Sequence, residues 1–375
     1  MGTKAVIGLG FGDEGKGITT DYLCSLSDNP LVVRFSGGQQ AGHNVVLNGV
    51  SHVFSNFGSG SLRGAPTYWA KYCTVEPTGL INELDILIKK GVSPRLYIDD
   101  KCPITTPYDI YSNHVLEVGN KHGSCGLGVG ATINREENHY SLTFGDLFYP
   151  SVFNMKMEAI RKFYGFKGVV NLDRFYECIN IIPMCDNIKP IFSEKWTYPT
   201  YNIPEDSDDI ILEGSQGLLL DQSIGFFPHV TRSNTGSKNI LDAKFNPELY
   251  MITRAYQTRH GNGPMTNENT PHNIAADPEE TNVYNAHQGN FRRTLLDLDL
   301  LSYGISKDEY VRTDGSKNLV ITCLDHVEDE YRFTHKGRIE YCSNEGEFVE
   351  RINSILGFKN VYISKSRESK NIVKL

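Results

Sequence analysis

Apolar residues along this chain come in short unbroken runs, each followed by glycine or polar residues. Lys4–Gly8 is one such run and enters a glycine-rich turn. Glu14–Ser25 then places Ile18, Tyr22 and Leu23 on one helical face. A second run, Pro30–Phe35, leads into "SGGQQAGHN". Strand, glycine turn, helix, strand is the opening of an α/β domain. Ile81–Lys90 has helical periodicity and stops at Gly91. Leu96–Ile98, Ile210–Leu212, Leu249–Ile252 and Leu319–Thr322 read as buried parallel strands. The pattern predicts an α/β fold with a large, mostly parallel central β-sheet flanked by helices. We expect a single elaborated domain over residues 1–375. Ligands of such sheets sit beyond the carboxyl ends of the strands. Residues 265–290 are polar and aperiodic, which marks a functional loop or disorder. There is no internal repeat.

Composition narrows the picture. The 375 residues are 39% hydrophobic and carry a formal charge of −8, enough for a large core and no footprint for nucleic acid. The eight cysteines form no C-x-x-C pair, so they read as reduced thiols in a cytoplasmic protein without a zinc site. Glycines interrupt the N-terminal apolar stretch, against a signal peptide, and no run approaches the ~18 apolar residues of a membrane span.

The chemistry begins at "IGLGFGDEGKGITTDY". From Gly10 it is G-x-x-x-x-G-K, a phosphate loop, but Gly17 stands where Ser or Thr should hold magnesium. As Gly10-x-Gly12-x-x-Gly15 it is the dinucleotide fingerprint, which wants an acidic residue about 20 positions on. The second strand ends Arg34-Phe35-Ser36-Gly37, without a carboxylate. The phosphate-loop reading keeps Lys16 and an amide-rich turn at a helix N-terminus. Asp13, inside the loop, is placed to ligate Mg²⁺ or to act as a base. A glycine turn packing a helix on a sheet would have the same glycines.

Five further segments carry chemistry. "RFSGGQQAGHNVV" offers a close-approach turn and His43, a hydrogen-bond donor to a phosphate or a proton source for a leaving group unless simply solvated. "GSCGLGVGAT" is a second anion cradle or a surface turn. "ILEGSQGLLLDQSIGFFPHVTRSNTG" ends a strand at Glu213 and puts Gln216 in a turn, where its carboxamide can pair with a ring edge or cap the turn. Arg292 and Arg293 in "GNFRRT" suit a dicarboxylate, and Asp325 in "ITCLDH" suits a base edge; either is also an ordinary ion-pair position.

Taken in order, "GFGDEGKG", "GGQQAGHNVV", "GSCGLGVG", "GDLF", "EGSQGLLLD", "FPHVTRSN", "TRHGNGP" and "TCLD" resemble adenylosuccinate synthetase, from about residue 10 to about 325. The resemblance implies a P-loop-like, GTPase-related nucleotide site. It implies a ligase in which a nucleoside triphosphate phosphorylates O6 of a purine nucleoside monophosphate and L-aspartate displaces that phosphate at C6. By it, Asp13, His43 and Gln216 are catalytic. Asp13 and the Gly42 carbonyl hold Mg²⁺. Gly12, Glu14, Gly15, Lys16, Gly17, Gly42 and His43 bind the triphosphate. Gln40, Ser124, Cys125, Arg135, Gln216 and Thr231 bind the monophosphate substrate. His287, Gln288, Gly289, Arg292 and Arg293 bind aspartate, while Asp325 and Ser364 read the donor base. The resemblance also implies a homodimer in which an arginine reaches the partner's nucleotide; Arg135 is nearest in sequence, though the matching position falls closer to His139.

Departures matter as much. Cys323 replaces the lysine of the guanine-reading T-K-L-D, and Ser364-Lys365-Ser366-Arg367 replaces S-T-G-P. "FSNFGSG" replaces a proline-containing segment, and Asn290 stands for an arginine that reads the ribose 2′-OH. These changes resemble a bacteriophage branch that joins aspartate to dGMP with ATP or dATP, which would place the protein in a host cytoplasm. Asp13 points the other way, since some members of that branch carry a small residue there. Ordinary use of IMP and GTP is the alternative. A dehydrogenase fails on the missing acid. A nucleotide-binding switch would leave Gln216, Thr231 and the arginines idle, and a catalytically dead subunit would have no use for both Asp13 and His43.

Overall fold

The structure is a computed structural model. It describes every residue except Met1, 121–122, 167–169, 193–206, Glu279, Val283, 285–288, 314–316 and Asp329. The chain builds a ten-stranded sheet from β1 (Gly2–Gly8), β2 (Pro30–Arg34), β5 (Thr67–Trp69), β6 (Leu96–Asp99), β7 (Ile188–Ile191), β8 (Asp209–Gly217), β9 (Glu248–Arg254), β12 (Lys317–Thr322), β15 (Asn360–Ile363) and β16 (Val373–Lys374). Their order is β16-β15-β12-β9-β1-β8-β2-β5-β6-β7, and every pair is parallel except β15 with the edge strand β16. The expected mostly parallel sheet is present.

Burial explains the runs. Ala5, Ile7, Leu31, Val33, Leu212 and Met251 point into one core, while Val6, Val32 and Ile211 point into another with Ile18 and Leu23. Both faces are covered, so the strands read as continuous apolar stretches rather than alternating ones. Helix α1 (Lys16–Cys24) starts two residues later than its sequence suggests, because Gly15 is left-handed at φ 92°. Helix α2 (Pro77–Lys89) starts four residues earlier than Ile81. The Glu76 side chain accepts from the Thr78 and Gly79 amides, and Pro77 takes the first turn.

Two smaller sheets escape the apolar pattern. β3 (His43–Leu47) and β4 (Val50–Phe54) form a hairpin. Its turn residues Asn48 and Gly49 have φ of 51° and 79°, the signature of an Asn-Gly type I′ turn. A four-stranded sheet takes the order β10 (Tyr256–His260), β11 (Phe291–Asp297), β13 (Tyr331–His335) and β14 (Arg338–Cys342). Arg292 and Arg293 therefore lie on a strand, opposite Arg259 and Thr258, and not in the polar loop itself.

Arg135 corrects one expectation. It sits in α3 (Val129–Glu137) and is fully buried. Its guanidinium bonds Asp109 at 2.9 Å and the Ile104 and Tyr140 carbonyls at 2.6 Å, and it is off the lining of the cavity described below. Asp109 is equally buried and also accepts from the Tyr164 hydroxyl at 2.6 Å. Asp109→Ala should therefore leave the buried Arg135 with only the half-buried Glu136 as counter-ion, at 2.8 Å, and destabilise the protein by about 3 kcal/mol. A denaturant midpoint unchanged from wild type would contradict this.

Candidate active site

Beyond the carboxyl ends of β1, β2, β8, β9, β12 and β15 lies a cavity of about 420 Å³. Its floor is the turn from β1 into α1. Gly12, Asp13 and Gly15 have φ of 91°, 58° and 92°, and Asp is among the few non-glycine residues that enter this region readily. A Cβ on Gly15 would meet the Thr322 methyl at 2.8 Å. Three side chains fasten the turn by its carbonyls. Thr258 donates to Gly12 O at 3.0 Å, Arg254 Nε donates to Asp13 O, and Thr322 donates to Glu14 O at 2.8 Å. Asp13, Glu14, Gly15, Lys16 and Gly17 all line the cavity, at the N-terminus of α1. Gly12 does not line it; its carbonyl holds Thr258.

Lys16 is 2% exposed and stands 3.7 Å from Glu14 Oε2. Glu14 Oε1 accepts from the Gly10 amide. Burial pushes the Glu14 carboxyl above the usual carboxylate range, against the pull of Lys16 and the Gly10 amide. An electropositive amide turn with a buried lysine is an oxyanion cradle.

His43 is not a loop histidine. It is the first residue of β3 and is 6% exposed. Its Nδ1 lies 2.7 Å from Glu213 Oε1, and its Nε2 is buried without a hydrogen-bond partner among the described residues. Burial lowers the His43 imidazole, with Glu213 opposing. Burial would raise Glu213, but His43, Arg34 and Ser59 outweigh it and hold the carboxyl at about 2. The pair is therefore a carboxylate accepting from Nδ1–H, with Nε2 left for a ligand, to which it can donate when the ring takes up a second proton. Glu213 had no role in the sequence reading beyond ending a strand, yet a lone acid inside "IILEG" is a visible signal. β8 also runs four residues past it, so Gln216 belongs to the strand and not to a turn.

One wall carries Gln40, Cys125, Leu127, Gln216, Leu220 and His260. Neither polar atom of the Gln40 side chain nor His260 Nε2 has a hydrogen-bond partner among the described residues. Ser124, beside this wall, is occupied by Asn113 and the Gly126 amide. Thr231 is half-buried and off the lining; its amide supports Leu220.

The opposite wall carries Thr322, Cys323, Asp325, His326, Ser366 and Arg367. Cys323 is left-handed at φ 55°. Ser364 is fully buried and turned away, its hydroxyl donating to Ser366 O at 2.9 Å, so the expected reading role does not fit it.

Asp277, Glu280, Thr281 and Asn282, from the long polar segment, complete the cavity. Asp277 pairs with Arg367, and Glu280 with Arg254 at 3.2 Å. The two expected aspartate-binding arginines are off the lining. Arg292 is engaged by Glu268 at 2.5 Å and by the Gly261 carbonyl, and Arg293 by the Ala275 carbonyl at 2.7 Å. Gly289 is off it as well, left-handed at φ 87°. His287 and Gln288 lie outside the described residues.

An amide-rich turn with a buried lysine, a carboxylate and a buried histidine on one cavity suit an enzyme that acts on phosphate groups. The model of the adenylosuccinate synthetase family matches residues 5–341. The chain belongs to that family, whose members are ligases that form a carbon–nitrogen bond. The adenylosuccinate synthetase of Thermoanaerobacter sp. (strain X514) is 30% identical over 349 residues, 87% of this chain and 78% of the relative. That of Buchnera aphidicola subsp. Baizongia pistaciae is 28% identical over 94% of this chain and 88% of the relative. Two solved structures share the fold. The fully ligated enzyme of Plasmodium falciparum superposes with a TM-score of 0.76 at 17% identity, covering 99% of each chain. Succinoaminodeoxyadenylate synthetase of cyanophage S-2L, bound to dGMP and dATP, superposes with a TM-score of 0.65 at 15% identity, covering 100% of this chain and 95% of the other. Among the described residues no helix is long and apolar enough to cross a membrane.

Proposed function

We propose that the protein joins L-aspartate to C6 of dGMP, with ATP or dATP as phosphoryl donor. The observation that carries the donor choice is the wall at Cys323. A thiol stands where the resemblance calls for a lysine, and Ser364 is turned away from the cavity. A buried group left without its partner costs about 1–3 kcal/mol, enough to reverse a base preference. Asn290, exposed in place of the 2′-OH-reading arginine, supports a deoxynucleotide acceptor. The cyanophage enzyme, solved with dGMP and dATP, is the precedent.

In this reading Asp13 takes the N1 proton of the purine, and O6 attacks the γ-phosphorus as the nucleoside diphosphate leaves. Lys16 and the α1 amides offset charge on the phosphates, and His43 Nε2 meets the transferring phosphoryl group. Gln216 holds the purine edge. The aspartate amine then displaces phosphate at C6 and loses a proton. Asp13 and Gly42 both line the cavity, and the carboxylate of one and the carbonyl of the other are hard oxygen donors that would hold Mg²⁺. Bound there, Mg²⁺ would supply charge neutralisation to the triphosphate. The protein works as a homodimer in this reading, and His139, exposed just beyond α3, replaces Arg135 as the residue nearest the partner's nucleotide.

Retention of Asp13 and the 30% identity to an adenylosuccinate synthetase favour a second reading, IMP with GTP. A substrate matrix decides: IMP, GMP and dGMP against GTP, ATP and dATP, each with L-aspartate, read by phosphate release and product mass. We expect dGMP with ATP or dATP to exceed IMP with GTP by about 100-fold in kcat/KM. The reverse order establishes the second reading. Phosphate release independent of aspartate and purine monophosphate would defeat both.

A further inference from the structure

Five residues stand in one row across the sheet. The register pairs Val6 with Glu213, Glu213 with Arg34, Arg34 with Trp69, and Trp69 with Ile98. Residues in register on neighbouring parallel strands project from the same face. Arg34 thus lies between a carboxylate and an indole, and it is fully buried. Its guanidinium carbon is 5.8 Å from the Trp69 ring centre. None of its three nitrogens has a hydrogen-bond partner among the described residues. The other fully buried arginines differ. Arg135 and Arg259 each direct several donors at carbonyls or carboxylates. A buried guanidinium that makes no hydrogen bond is costly to keep. What it offers its surroundings is charge.

Glu213 is the carboxylate beside it. Both its oxygens already accept hydrogen bonds, from His43 Nδ1 at 2.7 Å, the Ser59 amide at 3.2 Å and the Ser59 hydroxyl. We infer that Arg34 is a positioning residue for His43: its buried charge keeps Glu213 a carboxylate, and that carboxylate fixes the ring with Nε2 toward the cavity. Without Arg34, Glu213 would be a fully buried acid with less opposing charge. On taking up a proton it would turn from an acceptor toward Nδ1–H into a donor. The ring would then lose its fixed orientation. The depressed Glu213 carboxyl, to which Arg34 contributes, accords with this. The inference rests on the reading of His43 as the group that meets the phosphoryl being transferred.

The test compares Arg34→Met, Arg34→Lys, Glu213→Gln, the double variant R34M/E213Q and His43→Ala. Each is assayed for kcat, for KM of all three substrates, and for its denaturant midpoint. We expect Arg34→Met to lower kcat by about 10–100-fold, the range for residues that orient a catalytic group. KM values should stay within about threefold, since binding is not what is lost. Arg34→Lys, which keeps the charge, should recover most of the loss. On the Glu213→Gln background, Arg34→Met should cost little more, because two residues acting through one path are not additive. That comparison also holds if Arg34→Met alone fails to fold, since the double variant removes both buried charges. Near-normal kcat in Arg34→Met, or a further tenfold loss in R34M/E213Q relative to Glu213→Gln, overturns the inference. If His43→Ala turns over normally, the reading of His43 falls and the inference with it. A dead His43→Ala beside an active Arg34→Met removes the role of Arg34 alone.

Discussion

Asp13→Asn should abolish nearly all turnover, by about 10³-fold, while leaving nucleotide binding within a few-fold of wild type. Asparagine keeps the shape and tolerates the left-handed backbone at φ 58°. The turn itself does not depend on the carboxylate. Arg254, Thr258 and Thr322 hold it through the carbonyls of Asp13, Gly12 and Glu14. On the proposed reading, what disappears is the base for the purine N1 proton and one anionic ligand for Mg²⁺. Calorimetric titration of each nucleotide, set beside steady-state turnover, separates the two effects. Near-normal turnover in this variant would show that the base lies elsewhere.

On the proposed reading His43→Ala should lower kcat by about 10²–10³-fold, the loss usual for one donor at a developing oxyanion, Nε2 donating once the ring is protonated beside the anionic phosphates. KM should change little, because the ring contacts the phosphoryl group chiefly as it moves. The substitution also strips Glu213 of a partner at 2.7 Å, although both Ser59 donors and the Arg34 charge remain. Folding should therefore survive, and a denaturation curve checks that it does. An effect confined to KM would assign His43 to ground-state binding alone.

The parallel sheet was legible because strands buried on both faces leave nothing but apolar residues in their runs. β1, β2, β6, β8, β9 and β12 announce themselves in this way. β10 and β11 did not, because Gln257, Arg259, Arg292 and Arg293 break the pattern; their polar groups serve carbonyls and ion pairs within the fold. The Asn48-Gly49 turn was visible and went unread. At the cavity, Asp13, Lys16, His43, Gln40 and Gln216 were nameable from their motifs, and the structure brings all five to one lining. Arg135 and Ser364 were named by linear position, and three-dimensional packing gave them other tasks. Arg254, Glu280 and Asp277 carried no local signal, since each matters only through a partner distant in sequence.

Thr322 has a consequence for how this enzyme's fuel could change over time. Its hydroxyl holds the turn through Glu14 O, and the very next residue, Cys323, lines the cavity where the proposed reading puts the donor base. Cys323 also holds a left-handed backbone that few side chains accept without strain. A mutation that refits this corner to another nucleobase therefore tugs on the hand that holds the phosphates. On the proposed reading, donor choice and the hold on the turn are therefore coupled through two consecutive residues, and a change in one would call for adjustment in the other.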